Sequence, residues 1–100
     1  GGRFVAAQKP EKAVEVLAAL GHPVRLAVVR ALLRGPAVAA DLQAAVGLSS
    51  VGQLYHHLKT LTSARIVEQH GRGDYRLAAR TVVPALVLML ASADIAGELG

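Results

Sequence analysis

The sequence predicts a mainly α domain of about five helices with a two-stranded β-hairpin as its α+β wing, homodimeric through its first and last helices. Three observations predict it. Apolar residues recur at helical spacing in segments punctuated by Gly and Pro. The period changes from 3.6 to 2 only over residues 66–77. Finally, an apolar share of 53% and a mean hydropathy of +0.42 exceed what one 100-residue chain has interior to hide.

Residues 1–10 are Gly-rich and aperiodic and read as a flexible N-terminal segment ahead of one domain spanning 11–98. Pro10-Glu11 opens a first helix with Val14, Leu17 and Leu20 three apart, ended by Gly21. Pro23 fits the first turn of a second helix, with Leu26, Val29, Ala31, Leu32 and Leu33 apolar and Arg25, Arg30 and Arg34 basic. Gly35-Pro36 stops it. A third helix fits Val38 to Val46, with Leu42 and Val46 one turn apart and Gly47 as left-handed cap. Ser49 or Ser50 can cap a fourth helix running to about Ser63. At 100° per residue its Val51, Leu54, Leu58 and Leu61 form one stripe. Gln53, His56 and Thr60 share the opposite face, flanked by Gly52, Tyr55 and Lys59.

Ile66 to His70 and Tyr75 to Leu77 read as short strands around Gly71-Arg72-Gly73-Asp74, whose glycines permit the positive φ that hairpin turns need. The last helix, Thr81 to Ile95, tolerates Pro84 in its first turn and is apolar nearly all round, so it must be enclosed on most sides. Val14 and Leu17 on the first helix, with Leu86 and Leu90 on the last, are the residues expected at the dimer interface.

Several classes are excluded. No apolar run reaches the roughly 18–20 residues that span a bilayer, and GGRFVAAQKPEK lacks a secretory pattern, so no membrane partner and a cytoplasmic location are expected. With no cysteine there is no disulfide framework, thiolate nucleophile or cysteine-ligated metal. No nucleophile elbow or phosphate loop organises the Ser, His and Asp residues, which argues against an enzyme. A net charge of +4 and a pI near 10.1 suit a polyanionic partner.

Two helices joined by a Gly-containing turn and followed by a small hairpin make a winged helix-turn-helix. A helix 10–12 Å across fits the major groove of B-DNA, about 12 Å wide. Between Ser49 and Arg80 there are five Lys/Arg, three His and two acids, the bias of a surface that faces phosphate. Double-stranded DNA is the expected partner. Gln53, His56 and Thr60 are the candidate base readers, since Gln can pair bidentately with adenine while His and Thr donate or accept at several edges. Lys59 suits a phosphate, as do Ser49 and Ser50 at the helix start; at the wing tip Arg72 suits the minor groove or a phosphate, with Arg76 and Arg80 behind it. Tyr55 either stacks on sugar or packs beside the wing. The basic positions of the second helix suit phosphate or ion pairs with Glu11, Glu15 or Asp41, and His57 reads as a boundary histidine bonded within the domain. A winged-helix module that binds a protein, or a DNA-binding subunit served by a separate sensor or co-regulator protein, is the alternative.

LAALGHPVRLAVVRALL resembles the opening of the ArsR/SmtB, arsenic-repressor-type, transcription factors, with Leu20 to Leu26 carrying the match. GLSSVGQLYHHLKTLTSARIV resembles their recognition segment, GRGDYRL their wing, and the last helix their second dimerisation helix; together the resemblance covers roughly residues 13 to 97. It implies a repressor that binds an imperfect palindrome as a homodimer and responds to a metal or small molecule. There are departures. Gln43 stands where a small residue is usual, Ala64-Arg65 where Ala-Gly is usual, and the serine-rich turn is one residue longer. The metal ligands of the family are missing as motifs: residues 38–42 hold no cysteine, and Val82 to Ile95 holds no histidine and only Asp94 as a carboxylate. His22, His70, Asp94 and Glu98 remain as candidates for an unconventional nickel, zinc or cobalt site.

Overall fold

The structure, a computed structural model, describes residues 9–100. Along the chain come α1 (Pro10–Leu20), α2 (Pro23–Leu32), β1 (Ala37–Val38), α3 (Ala39–Val46), α4 (Val51–Ser63), β2 (Val67–His70), β3 (Asp74–Leu77), a 3-10 turn (Ala79–Thr81) and α5 (Val82–Ile95). The five expected helices and the wing are all among the described residues. Of the expected flexible segment, residues 1–8 lie outside them, and Pro10 already belongs to α1.

Local chemistry sets the boundaries. Proline occupies the first turn of α1 and α2, where its missing amide costs nothing. His22, in an extended conformation, caps α2 by accepting a 3.1 Å hydrogen bond at Nδ1 from the Val24 amide. α3 ends at Gly47, whose φ of +77° is open to glycine at little cost. The amides of Gly47 and Leu48 both donate to the Gln43 carbonyl at 2.9 and 3.2 Å. The Gln43 side-chain amide in turn donates to the Leu48 carbonyl at 3.2 Å. The residue that departs from the family pattern thus clamps the turn between the two central helices.

β2 and β3 pair antiparallel from Val67↔Leu77 to His70↔Asp74, leaving a three-residue loop with Gly71 at φ +61° and Gly73 at +74°. The sheet also has a third strand. Val38, expected to begin the third helix, instead pairs with Asp74 while Ala37 pairs with Tyr75, giving the order β1-β3-β2. This covers the second edge of β3, and the Ala39 amide donates to Gly73 at 3.2 Å, fixing the root of α3 to the wing loop. The last helix likewise starts one residue later than expected, after the 3-10 turn.

The core joins Val28, Val29 and Leu32 of α2, Leu42 of α3 and Leu54, Leu58 and Leu61 of α4 to Ile66, Val67, Tyr75 and Leu77 around the wing. Each buried leucine of α4 contributes about 1.5–3 kcal/mol by leaving water. Val51, expected on the same stripe, is 42% exposed as the first residue of α4, whereas Leu54, three residues on, is fully buried. α5 behaves differently. Of its residues only Ala85 is buried, while Val83, Leu86, Val87 and Leu90 are exposed. Among the described residues no helix is long and apolar enough to cross a membrane.

Candidate nucleic-acid interface

α4 is held from inside by its leucines and from its start by a cap. Ser50 is extended, and its Oγ accepts from the Gln53 amide at 3.2 Å. Of the two serines considered, Ser50 is the cap and Ser49 is exposed beside it. Opposite the buried stripe, Gln53, Tyr55, His56 and Lys59 are exposed, as the spacing predicts. Thr60 is half-buried, and its hydroxyl donates back to the His56 carbonyl at 3.4 Å, leaving its oxygen as an acceptor. Together with Glu15, Ala18 and Arg25, the residues His56, Lys59 and Thr60 line a groove of about 510 Å³ between α1 and α4. Tyr55 lies on the wing side: burial first and then Tyr55 push the Tyr75 phenol above its ordinary pKa.

The orientation of α4 is locked by a residue whose role the sequence left open. Arg25, expected to meet phosphate or pair with an acid, forms no ion pair among the described residues. Its Nε donates to the Ala19 carbonyl at 2.7 Å and Nη2 to the Ala18 carbonyl at 3.3 Å, while Nη1 lies 3.1 Å from His57 Nδ1. The guanidinium satisfies the Ala19 carbonyl, adds a second donor to the Ala18 carbonyl that already accepts from the Gly21 amide at 3.3 Å, and so ties the end of α1 to α4. Arg30 and Arg34 form no ion pair among the described residues; the two pairs present are His70–Glu68 at 3.3 Å and Arg76–Asp74 at 3.8 Å. Since arginine can only donate, His57 Nδ1 must be unprotonated and the ring proton sits on Nε2. Burial, then the neighbouring His22, Arg25 and His56, hold the His57 pKa below its ordinary 6.5. His57 is therefore the internally bonded boundary histidine that its position on the helix suggests. His22 and His57 face one another with ring centroids 4.6 Å apart.

On the wing, Arg72 is exposed at the tip between the two left-handed glycines. Arg76 is half-buried, leaning on Asp74 and paired in register with Glu68, and its Nε is buried without a partner. The four metal candidates are not brought together. His22 serves as a cap, His70 leans on Glu68, and Asp94 and Glu98 lie exposed at the far end of the chain. Among the described residues no three His, Asp or Glu side chains stand close enough to hold an ion. The expected interface residues Val14, Leu17, Leu86 and Leu90 are 61, 56, 44 and 60% exposed.

Residues 20–70 match the model of the family described as helix-turn-helix domain. The chain belongs to this family. The match runs from α2 to β2, and α4 is the helix that follows the turn, the position that such domains call the recognition helix. No curated protein matches the chain in sequence. Among solved structures it is similar to the transcriptional repressor BigR from Xylella fastidiosa, with 27% identity, 93% of this chain and 94% of that one covered, and a TM-score of 0.72. It is also similar to the homodimeric winged helix-turn-helix DNA-binding domain of Mb0332 from Mycobacterium bovis, with 25% identity, 90 and 93% covered, and a TM-score of 0.73. A third likeness is to an ArsR family transcriptional regulator, with 25% identity, 92 and 96% covered, and a TM-score of 0.68. The ArsR-type resemblance carried by the segments from Leu20 to the wing is borne out, and so is the winged helix-turn-helix fold. Family and fold are those of DNA-binding transcriptional regulators, which are not enzymes.

Proposed function

We propose that the chain is a sequence-specific transcriptional regulator that acts as a homodimer, laying α4 in the major groove of each half of an imperfect palindrome and repressing by excluding polymerase. One observation carries the reading: a capped helix, anchored by three buried leucines, presents Gln53, His56 and Lys59 to solvent. Gln53 and His56 supply base-edge hydrogen bonds, with Thr60 as an additional acceptor beside them. Lys59, Arg72 and the open amides at the start of α4 beside Ser49 and Ser50 supply phosphate contacts. Tyr55, on the wing side of α4, reaches sugar, and Arg76, on the outer face of β3, reaches phosphate. The exposed hydrocarbon of α1 and α5 supports the second copy, since a helix apolar on every side needs a cover. A twofold pair sets the two recognition helices about one turn of DNA apart, roughly 34 Å. An inducer that favours another relative placement of those helices relieves repression.

Selection of bound genomic fragments followed by footprinting tests the reading. It predicts two protected half-sites centred about 10 base pairs apart, on one face of the duplex. Uniform, sequence-independent protection would overturn the sequence-specific reading, and no binding at low salt would overturn it in favour of a protein-interaction module.

A further inference from the structure

A second cavity, of about 680 Å³, opens between α1, the α4–β2 turn and the start of α5. That volume is within the roughly 300–1,000 Å³ of small-molecule sites. Its wall is apolar along Val16, Ile66 and Ala85, and its rim carries Lys12, Arg65 and Arg80 against the single carboxylate of Glu15. Three cations against one acid leave a surplus of two positive charges. None of the three cations has an acidic side chain within ion-pair distance among the described residues, where the pairs are His70–Glu68 and Arg76–Asp74.

Arg65 stands at the turn that ends α4, and with a φ of +63° it is the one non-glycine residue in the left-handed region among the described residues. That backbone closes the helix, with the Ile66 amide donating to the Leu61 carbonyl at 3.1 Å, and it brings the Arg65 side chain to the rim of the half-apolar cavity without an acidic partner. DNA is the less fitting occupant. Arg65 follows the C-terminal end of α4, about 18 Å along a 13-residue helix from the turn that carries Gln53, and a phosphodiester backbone has no use for an apolar wall.

We propose that this cavity is a binding site for a small amphipathic carboxylate, its charged end held by Arg65 and Arg80 and its hydrocarbon body lying against Val16, Ile66 and Ala85. Guanidinium groups suit a carboxylate because their parallel N–H bonds match its two oxygens. The proposal does not depend on the DNA reading, and random duplex enters its test only to separate a carboxylate from a phosphate.

Octanoate titrated calorimetrically into the full chain is the probe, with octanol, acetate and inorganic phosphate as separate arms. The expected result is saturable binding of one octanoate per chain, at least tenfold tighter than any of the other three. Arg80→Gln and Arg65→Gly should each weaken octanoate at least tenfold, whereas Arg34→Gln, in the turn after α2, should leave it unchanged. Arg65→Gly also relieves the backbone, so its melting temperature should equal or exceed that of the parent, which separates lost binding from lost folding. Absence of octanoate binding, equal affinity for octanol or for phosphate, or undiminished binding by both arginine variants would overturn the proposal. So would an Arg65→Gly protein that binds octanoate normally but loses affinity for random duplex, which would assign the cation to phosphate.

Discussion

Replacing Arg25 by alanine should destabilise the protein by about 2–3 kcal/mol, and the structure shows where that comes from. The side chain makes one short hydrogen bond to the Ala19 carbonyl at 2.7 Å and one contact with His57 Nδ1 at 3.1 Å; the 3.3 Å bond to Ala18 is the weakest of the three. Hydrogen bonds to a charged group contribute about 1.5–3 kcal/mol when well shielded. Arg25 is only half-buried, so the two better bonds count for about 1–1.5 kcal/mol each after solvent screening. Urea unfolding at one fixed protein concentration measures the loss, because the proposed dimer would make stability concentration-dependent. Lysine has one donor head in place of a planar fork and should recover less than half. A cycle with His57→Ala isolates the link between α1 and α4. A loss under about 0.5 kcal/mol for Arg25→Ala, or no coupling to His57, would refute the claim that this residue locks the recognition helix.

Three further outcomes follow from the same geometry. His57 has its folded-state pKa lowered, chiefly by burial and then by His22, Arg25 and His56, so the unfolded chain binds its proton first. The stability it gives is full above pH 6.5 and is lost as pH falls from there through the folded-state value. Wild-type unfolding free energy should thus drop between pH 7 and 5.5, and His57→Gln should flatten that slope; a slope unaffected by the substitution contradicts the assignment. Ser50→Ala, which removes the cap on Gln53, should cost about 1 kcal/mol in the same urea assay, and Ser50→Gly only a few tenths. Leu90→Glu, on the exposed face of α5, should yield a folded monomer in sedimentation at micromolar concentration, with helical content retained by circular dichroism; an unchanged dimer would move the interface elsewhere.

Helices were legible where punctuation and periodicity coincide. Pro10, Gly21, Pro23, Gly47 and the Ser50 cap bound α1 to α4 by chemistry that acts within a few residues, which a sequence displays directly. β1 was not legible, since two residues cannot show a period and Ala37-Val38 become a strand only because β3 has a free edge. The same reason explains Val51: helical phase predicts its direction, but the reach of the core decides its burial. On the recognition helix, phase alone separated exposed Gln53 and His56 from buried Leu54 and Leu58. The partners of Arg25 could not be read, because a backbone carbonyl six residues away and a histidine thirty-two residues away leave no pattern in the chain. Gln43 is similar. Its departure from the family pattern was visible, but its hydrogen bond across the turn was not.

The central claim is that the outward face of α4 reads bases while the wing holds phosphate. It is tested most directly by measuring affinity for the selected site and for random duplex, at one stated salt concentration, in wild type and in Gln53→Ala, His56→Ala and Arg72→Ala. Each lost base contact should reduce the ratio of the two affinities by about 1–3 kcal/mol for Gln53→Ala and His56→Ala. Arg72→Ala should instead weaken both duplexes by a similar factor, leaving the ratio nearly unchanged. Equal losses on both duplexes in all three variants would contradict the account.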